Sequence, residues 1–200
     1  NGQWVQAINP SNNANPDLRW ERKEEVNVGI DYGLLNERLS GSVDLYRRTT
    51  RDLIANFPVP TPPYLYSTIT ANAASMENKG IEVQVNAIPL QTAAFRWSTS
   101  VNFSTNANKI LSLSNDKFAL ASGYFDTGNT GEPIQQTTHR VQVGQPLGNF
   151  WGFKTIDIDE AGHWIIEGKN GEPKPIAQQQ ADDKQVIGNG LPKRYLNWNN

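Results

Sequence analysis

The 200-residue chain has no cysteine, one methionine and two histidines, and each shortage closes a class of chemistry. Without cysteine there is no disulfide framework and no thiolate metal site. His139 and His163 each lack a second imidazole or carboxylate at ligand spacing, so no metal site is expected at either. Charge of one sign is also missing: 18 basic residues face 20 acidic ones, a net charge of −2. That balance leaves no basic footprint for nucleic acid. No apolar run approaches the roughly 18 residues of a membrane-spanning helix. This lack does not exclude a barrel, whose strands carry a far weaker hydropathy signal. No secretory leader is visible at Asn1. The chain stops at Tyr195-Leu196-Asn197-Trp198-Asn199-Asn200, which reads as the opening of a strand. Both ends look cut, and a piece of a longer protein is expected.

Catalytic constellations are missing as well. No Ser-His-Asp set and no phosphate-cradling glycine loop is apparent. Asp31, Asp44 and Glu82 are carboxylates on regular strands, without the cleft across which a glycosidase pairs two of them. Asp157-Ile158-Asp159-Glu160-Ala161-Gly162 echoes the start of a calcium loop, but its twelfth position is Gly168 rather than glutamate. A turn is the better reading of that stretch. No enzyme, no cofactor and no metal are expected.

What the chain does have is alternation. Val26, Val28, Ile30 and Tyr32 alternate with Asn27, Gly29, Asp31 and Gly33. Leu39, Val43 and Leu45 oppose Ser40, Ser42 and Asp44. Ile81, Val83, Val85 and Ala87 oppose Glu82, Gln84 and Asn86. Phe95, Trp97, Val101 and Phe103 oppose Ser98, Ser100 and Asn102. A period of two makes strands with one apolar and one polar face. Strands of roughly 9–11 residues suffice to cross a bilayer within a barrel. The same pattern also suits a soluble β-sandwich, one face packed on a core and the other wet.

Strands are expected over about 18–33, 39–49, 79–88 and 95–106, after a loop over 1–16. A long loop region spans about 107–192, and a further strand starts near 194. Within the loop region, strands at Gly148–Ile158 and His163–Glu167 are expected to form a hairpin. Four prolines between 58 and 63 argue against a central strand in 50–78. The connections thus alternate: short at 34–38, long at 50–78, short at 89–94, long after 106. Short turns at one end and long loops at the other make the up-and-down layout of a transmembrane barrel. Tyr32, Phe95 and Trp97 lie on the apolar parity beside the short turns, where an interfacial girdle belongs. The fold expected is all-β: antiparallel up-and-down strands forming part of a transmembrane β-barrel with long extracellular loops.

On that reading Asn27, Asp31, Ser42, Asp44, Glu82, Gln84, Asn86, Ser98, Ser100 and Asn102 face the lumen. Val28, Ile30, Val43, Leu45, Ile81, Val83, Val85, Trp97, Val101 and Phe103 face lipid. Tyr124, Phe125, Trp151 and Trp164 in the loop region are candidates for substrate or lid contact, because aromatic faces often stack on sugars. Packing of the loops against one another is the plainer reading, since large aromatics usually bury area.

Several strings together resemble the barrel of SusC/RagA-type TonB-dependent outer-membrane transporters. They are Asn15-Pro16-Asp17-Leu18-Arg19-Trp20-Glu21, Val28-Gly29-Ile30-Asp31-Tyr32-Gly33 and Leu39-Ser40-Gly41-Ser42-Val43-Asp44-Leu45-Tyr46. Arg51-Asp52-Leu53-Ile54, Asn78-Lys79-Gly80-Ile81-Glu82 and Trp97-Ser98-Thr99-Ser100-Val101-Asn102-Phe103-Ser104 follow. Phe150-Trp151-Gly152-Phe153-Lys154 and Val186-Ile187-Gly188-Asn189-Gly190-Leu191-Pro192-Lys193 come later. The chain departs from many relatives at Lys169-Asn170-Gly171-Glu172-Pro173, where they carry a more acidic stretch, so a loop metal is doubtful here. The resemblance implies a protein of the bacterial outer membrane that imports oligosaccharides or peptides. Its partners would be a SusD-like surface lipoprotein, outer-membrane lipid, and the TonB complex through a plug and TonB box absent from this chain. The soluble carbohydrate-binding module stands as the alternative.

Overall fold

The computed structural model describes residues 10–120 and 122–200, so most of the loop expected over 1–16 lies outside the described residues. Among the described residues thirteen strands follow in chain order. Five are β1 (Arg22–Leu34), β2 (Leu39–Pro58), β3 (Thr68–Gln91), β4 (Arg96–Thr105) and β5 (Ala107–Ser112). Shorter ones are β6 (Tyr124–Asn129), β7 (Thr137–Gln142), β8 (Asn149–Gly152), β9 (Thr155–Ile158), β10 (Trp164–Glu167) and β11 (Pro173–Pro175). β12 (Gln185–Asn189) and β13 (Arg194–Asn199) close the chain. The main sheet has the antiparallel order β1-β2-β3-β4-β13, with β5 also on β3.

Register carries the sequence pattern across the sheet. Ile30 faces Val43, Val43 faces Val83, Val83 faces Phe103 and Phe103 faces Leu196. One step along, Asp31, Ser42, Gln84, Asn102 and Asn197 form the next row. A slip of one residue would mix the two sets, so the apolar pattern and the turns specify the pairing together. β4 and β5 are one strand interrupted at Asn106: Glu82 faces Ser104 and Lys79 faces Ala107 in the same ladder. The Asn106 N–H instead donates to the Lys193 carbonyl, 3.1 Å away. Two glycines mark close cross-strand packing. The Tyr32 ring lies over Gly41 and the Tyr46 ring over Gly80, where any Cβ would collide with the phenol.

Several expected boundaries move. β1 begins at Arg22 rather than 18, because side chain replaces strand before it: Asn72 accepts from the Arg19 N–H at 2.9 Å and donates to its carbonyl at 2.7 Å. β2 continues to Pro58, and β3 starts at Thr68, so much of the connection expected over 50–78 is paired strand. A bulge between Thr50 and Leu53, with Asp52 at φ 58°, breaks the alternation and hides the continuation. β3 also runs through Pro89. The register slips between Ala87 and Leu90 there, and a bulge tolerates a residue without an N–H. The region 107–192 is not a long loop. It holds β5, a four-stranded sheet β12-β8-β7-β6 and a three-stranded sheet β11-β10-β9. The strand expected over Gly148–Ile158 splits in two: β9 forms the expected hairpin with β10, while β8 pairs with β7 and β12.

Burial is concentrated at the end with long connections. Phe57, Ile69, Ala71 and Ala73 form one cluster, covered by Tyr64 and Phe118. Ala74, Ile110, Leu113 and Val141 form a second with Leu53, Met76 and Leu120. Both short turns, after β1 and after β3, lie at the opposite end of the sheet.

Candidate functional site

The main sheet presents two chemically distinct surfaces. Its apolar rows stay exposed: Ile30 is 69% accessible and Leu196 72% at the edges, and Val43 is still 37% in the interior. No layer of described residues packs over them, which is the wrong state for a sandwich core in water. From Ile81 to Leu90 this face of β3 runs about 30 Å at a rise of about 3.3 Å per residue. With a tilt of about 40° that is a band about 23 Å tall, close to the apolar belt of a membrane barrel. The band ends abruptly toward the long connections. Beyond the row Val28, Leu45 and Ile81 comes Val26, Arg47 and Lys79, then Glu24, Thr49 and Glu77.

The other surface is polar, and two depressions of the main sheet open on it. One, of about 540 Å³, is bounded by Ser42, Asp44, Glu82, Gln84, Asn102 and Asn197. The second, of about 490 Å³, includes Ser40, Asn86, Ser98 and Ser100. Toward the long-connection end Arg48 donates to both Glu25 oxygens, at 2.9 and 3.0 Å. Trp198 and Trp97 add aromatic surface to the apolar face near the short turns, and the Trp198 indole N–H donates to Thr99 Oγ1 at 2.8 Å.

Beyond the sheet, β6, β7 and β8 bring Tyr124, Arg140 and Trp151 together. The Arg140 guanidinium lies 3.6 Å from the Tyr124 ring centre and 3.8 Å from that of Trp151. Asp126, cross-strand from Arg140, accepts two hydrogen bonds from it, at 2.7 and 2.9 Å. The carboxylate raises the Arg140 pKa further above its ordinary range. Cation–π stacking on two rings plus a bidentate ion pair fixes three strands to one another. Beside it a groove of about 680 Å³ is lined by Phe150, Trp151, Phe153, Ile187, Thr138 and Lys184. The His139 ring lies 4.7 Å from that of Phe150, tilted by 47°, and its Nδ1 meets Thr138 Oγ1 at 2.8 Å.

The three-stranded sheet is secured by Asp183, whose side chain is 2% exposed. Lys174 Nζ donates to it at 2.8 Å, and the backbone N–H groups of Gln180 and Lys169 donate at 2.7 and 3.1 Å. The Lys174 ammonium, then these N–H groups, hold its carboxyl below the usual aspartate range. The Asp159 stretch closes the β9–β10 hairpin. Its Oδ1 accepts from the Ala161 and His163 N–H groups at 3.0 and 2.8 Å, and Oδ2 sits 3.2 Å from His163 Nδ1. Glu172 closes the departed stretch, taking the Asn170 N–H at 3.1 Å.

Of the four aromatics read as contacts, the structure joins Tyr124 and Trp151 through Arg140. Phe125, 41% exposed, sits one residue from Tyr124 in β6 and so on the opposite face, and Trp164, 53% exposed, belongs to the other small sheet. Arg140 and Asp126 went unnoticed in the sequence. Their only signal is opposite charge, and their common site depends on pairing across a 14-residue separation.

A family model described as TonB dependent receptor-like, beta-barrel matches residues 2–179. TonB-dependent receptor P39 of Formosa agariphila is 35% identical over 178 residues, 88% of this chain and 16% of that protein. TonB-dependent receptor SusC of Bacteroides thetaiotaomicron is 32% identical over 152 residues, 74% of this chain and 15% of that protein. A structure of the RagAB peptide importer in the "closed-closed" state superposes with a TM-score of 0.73 at 26% identity. That match covers 94% of this chain and 20% of the importer chain. The chain therefore spans about a sixth to a fifth of these relatives, which are named receptors and an importer rather than enzymes, and nothing in them favours a soluble sandwich. The two-faced antiparallel sheet, its length and these matches agree, and the chain belongs to the TonB dependent receptor-like β-barrel family.

Proposed function

We propose that this chain is part of the wall of an outer-membrane transporter that imports oligosaccharides or peptides. The observation that carries the reading is the register. Across five neighbouring strands the row Ile30, Val43, Val83, Phe103 and Leu196 is apolar and uncovered, and the next row, Asp31, Ser42, Gln84, Asn102 and Asn197, is polar and on the other face. Lipid then takes the apolar face, from Val28 and Ile30 through Val83 to Val101 and Phe103. The lumen takes Asp31, Asp44, Glu82, Gln84 and Asn102. The short turns are periplasmic and the long connections extracellular. β1 and β13 each have one partner among the described residues, and strands of a longer polypeptide complete the barrel, in keeping with the relatives' length.

A SusD-like lipoprotein covers the extracellular end, and the TonB complex energises transport through parts outside this chain. Exposed Phe125 and Trp164 reach substrate or lid directly. Tyr124 and Trp151 contribute through the surface they build around Arg140. The test is uptake of labelled oligosaccharides and peptides by cells that produce the full-length receptor. Receptor-dependent uptake abolished by a protonophore supports import. Recovery of the receptor in the soluble fraction, or uptake unchanged when it is deleted, refutes it.

A further inference from the structure

We propose that the aromatic groove beside Arg140 binds an acidic oligosaccharide, with the sugar's carboxylate or sulfate ester held at Lys184. The inference rests on the importer reading above and narrows its substrate. The groove's volume, about 680 Å³, lies within the range of sites that enclose small ligands. Exposed Phe150 and Ile187 and half-buried Phe153 supply the apolar part of its lining. Gln136, Gln179 and Thr138 stand among them. That mixture suits a pyranose. The C–H face of the sugar packs on aromatic carbon, and its hydroxyls exchange hydrogen bonds with the amides and the threonine hydroxyl.

Charge selects among sugars. Lys184 is the one charged residue lining the groove among the described residues. Its ammonium lies 5.4 Å from the Phe153 ring centre and donates to Gln136 Oε1 at 3.4 Å. No carboxylate among the described residues comes within the 4.0 Å of an ion pair with it. The two residues before it, Asp182 and Asp183, turn instead to Lys169 at 3.1 Å and to Lys174 at 2.8 Å. Arg140, close by, is committed to Asp126. A half-buried ammonium beside an aromatic ring thus keeps donors for an incoming anion, and such a bond is charge-assisted. A neutral sugar would cover the same ammonium without supplying a counter-charge.

An extended peptide is the poorer occupant. Among the described residues β12 is an edge of its sheet, and it borders the groove through Ile187. Its register with β8 slips between Val186 and Gly188. A bulged edge of five residues is a weak template for an added strand. Strand addition is the mode that gives an extended peptide its main-chain affinity.

The experiment titrates the full-length receptor, purified in detergent, by isothermal calorimetry. The four probes are tetragalacturonate, a sulfated carrageenan tetrasaccharide, neutral maltotetraose and an acidic tetrapeptide. At least one acidic sugar should bind about tenfold more tightly than maltotetraose and than the tetrapeptide, and the two acidic probes distinguish carboxylate from sulfate. Lys184→Gln should remove that preference. Lys193→Gln, at an exposed cation outside the groove, should keep it. Phe153→Leu keeps an apolar side chain but loses the flat ring, so it should weaken acidic and neutral sugars alike. Equal binding of acidic and neutral sugars by the wild type overturns the proposal. So does tighter binding of the tetrapeptide, or a preference that survives Lys184→Gln. The same receptor in cells keeps the two readings apart. Receptor-dependent uptake of any oligosaccharide or peptide, with no acidic preference in the titration, sinks only the groove, whereas a receptor recovered in the soluble fraction sinks both.

Discussion

An arginine placed on successive apolar positions of β3 should cost more the deeper it lies. Lys79 marks the charged edge, and Val83 and Val85 lie four and six residues further on. At about 3.3 Å per residue and a tilt of about 40°, these positions are about 10 and 15 Å below that edge. The band from Ile81 to Leu90 has its middle near Val85. A lysine or arginine on a barrel's lipid face costs about 2–4 kcal/mol at the midplane and about 0–1 near the interface. Ile81→Arg should therefore destabilise by under about 1 kcal/mol, Val83→Arg by about 2 and Val85→Arg by about 3. Gln84→Arg points the other way, in the row of Asp31, Ser42 and Asn102 and diagonal to Asp44. It should stay within about 0.5 kcal/mol of wild type. The assay is equilibrium urea unfolding of the full-length receptor folded into vesicles, followed by tryptophan fluorescence. A flat series, or a Gln84→Arg cost equal to that of Val83→Arg, refutes the assignment of faces.

Gly80→Val sets a side chain against the Tyr46 phenol and the Thr105 carbonyl, and should destabilise by about 1–3 kcal/mol in the same unfolding assay. Arg140→Gln removes the group held between Tyr124 and Trp151 and strands Asp126. Hydrogen exchange in β6, β7 and β8 should reveal local loosening of about 2 kcal/mol, with the main sheet unchanged. Arg140→Lys should recover only part of this, because an ammonium lacks the flat fork. Asp183 has a depressed folded pKa, so its contribution is complete above the ordinary value of 3.8 and is lost as pH falls through the lower folded value. Exchange protection of the Lys169 and Gln180 N–H groups should thus hold at pH 5 and collapse only in solutions more acidic than about pH 4. Protection already lost at pH 5 contradicts the ion pair with Lys174.

The main sheet was legible because a period of two repeats often enough in β1, β3 and β4 to stand out, and because short and long connections alternate. Its limits blurred where geometry departs from that period. The bulge at Arg51 and Asp52 shifts parity within β2, so the stretch after Thr50 reads as loop although Leu53–Pro58 is paired. Pro89 argues against a strand by its missing N–H, yet the slip between Ala87 and Leu90 accommodates it. β6, β7, β11 and β12 went unread, and β8 and β9 were read as one strand, for a different reason. Strands of three to six residues offer too few alternations, and their stability comes from contacts such as Arg140 on two rings and Asp183 under Lys174. Such contacts join residues far apart in sequence. The aromatics of the loop region could be named from the sequence, but which of them meet depends on pairing.

The most direct test of the two-faced wall uses the absence of cysteine from this stretch. Single cysteines at positions 81 to 86 of the full-length receptor, embedded in membranes, are treated with a membrane-restricted and with a water-soluble thiol reagent. Ile81→Cys, Val83→Cys and Val85→Cys should react only with the first, and Glu82→Cys, Gln84→Cys and Asn86→Cys only with the second. Reactivity that fails to alternate along β3, or that alternates in the opposite sense, contradicts the account.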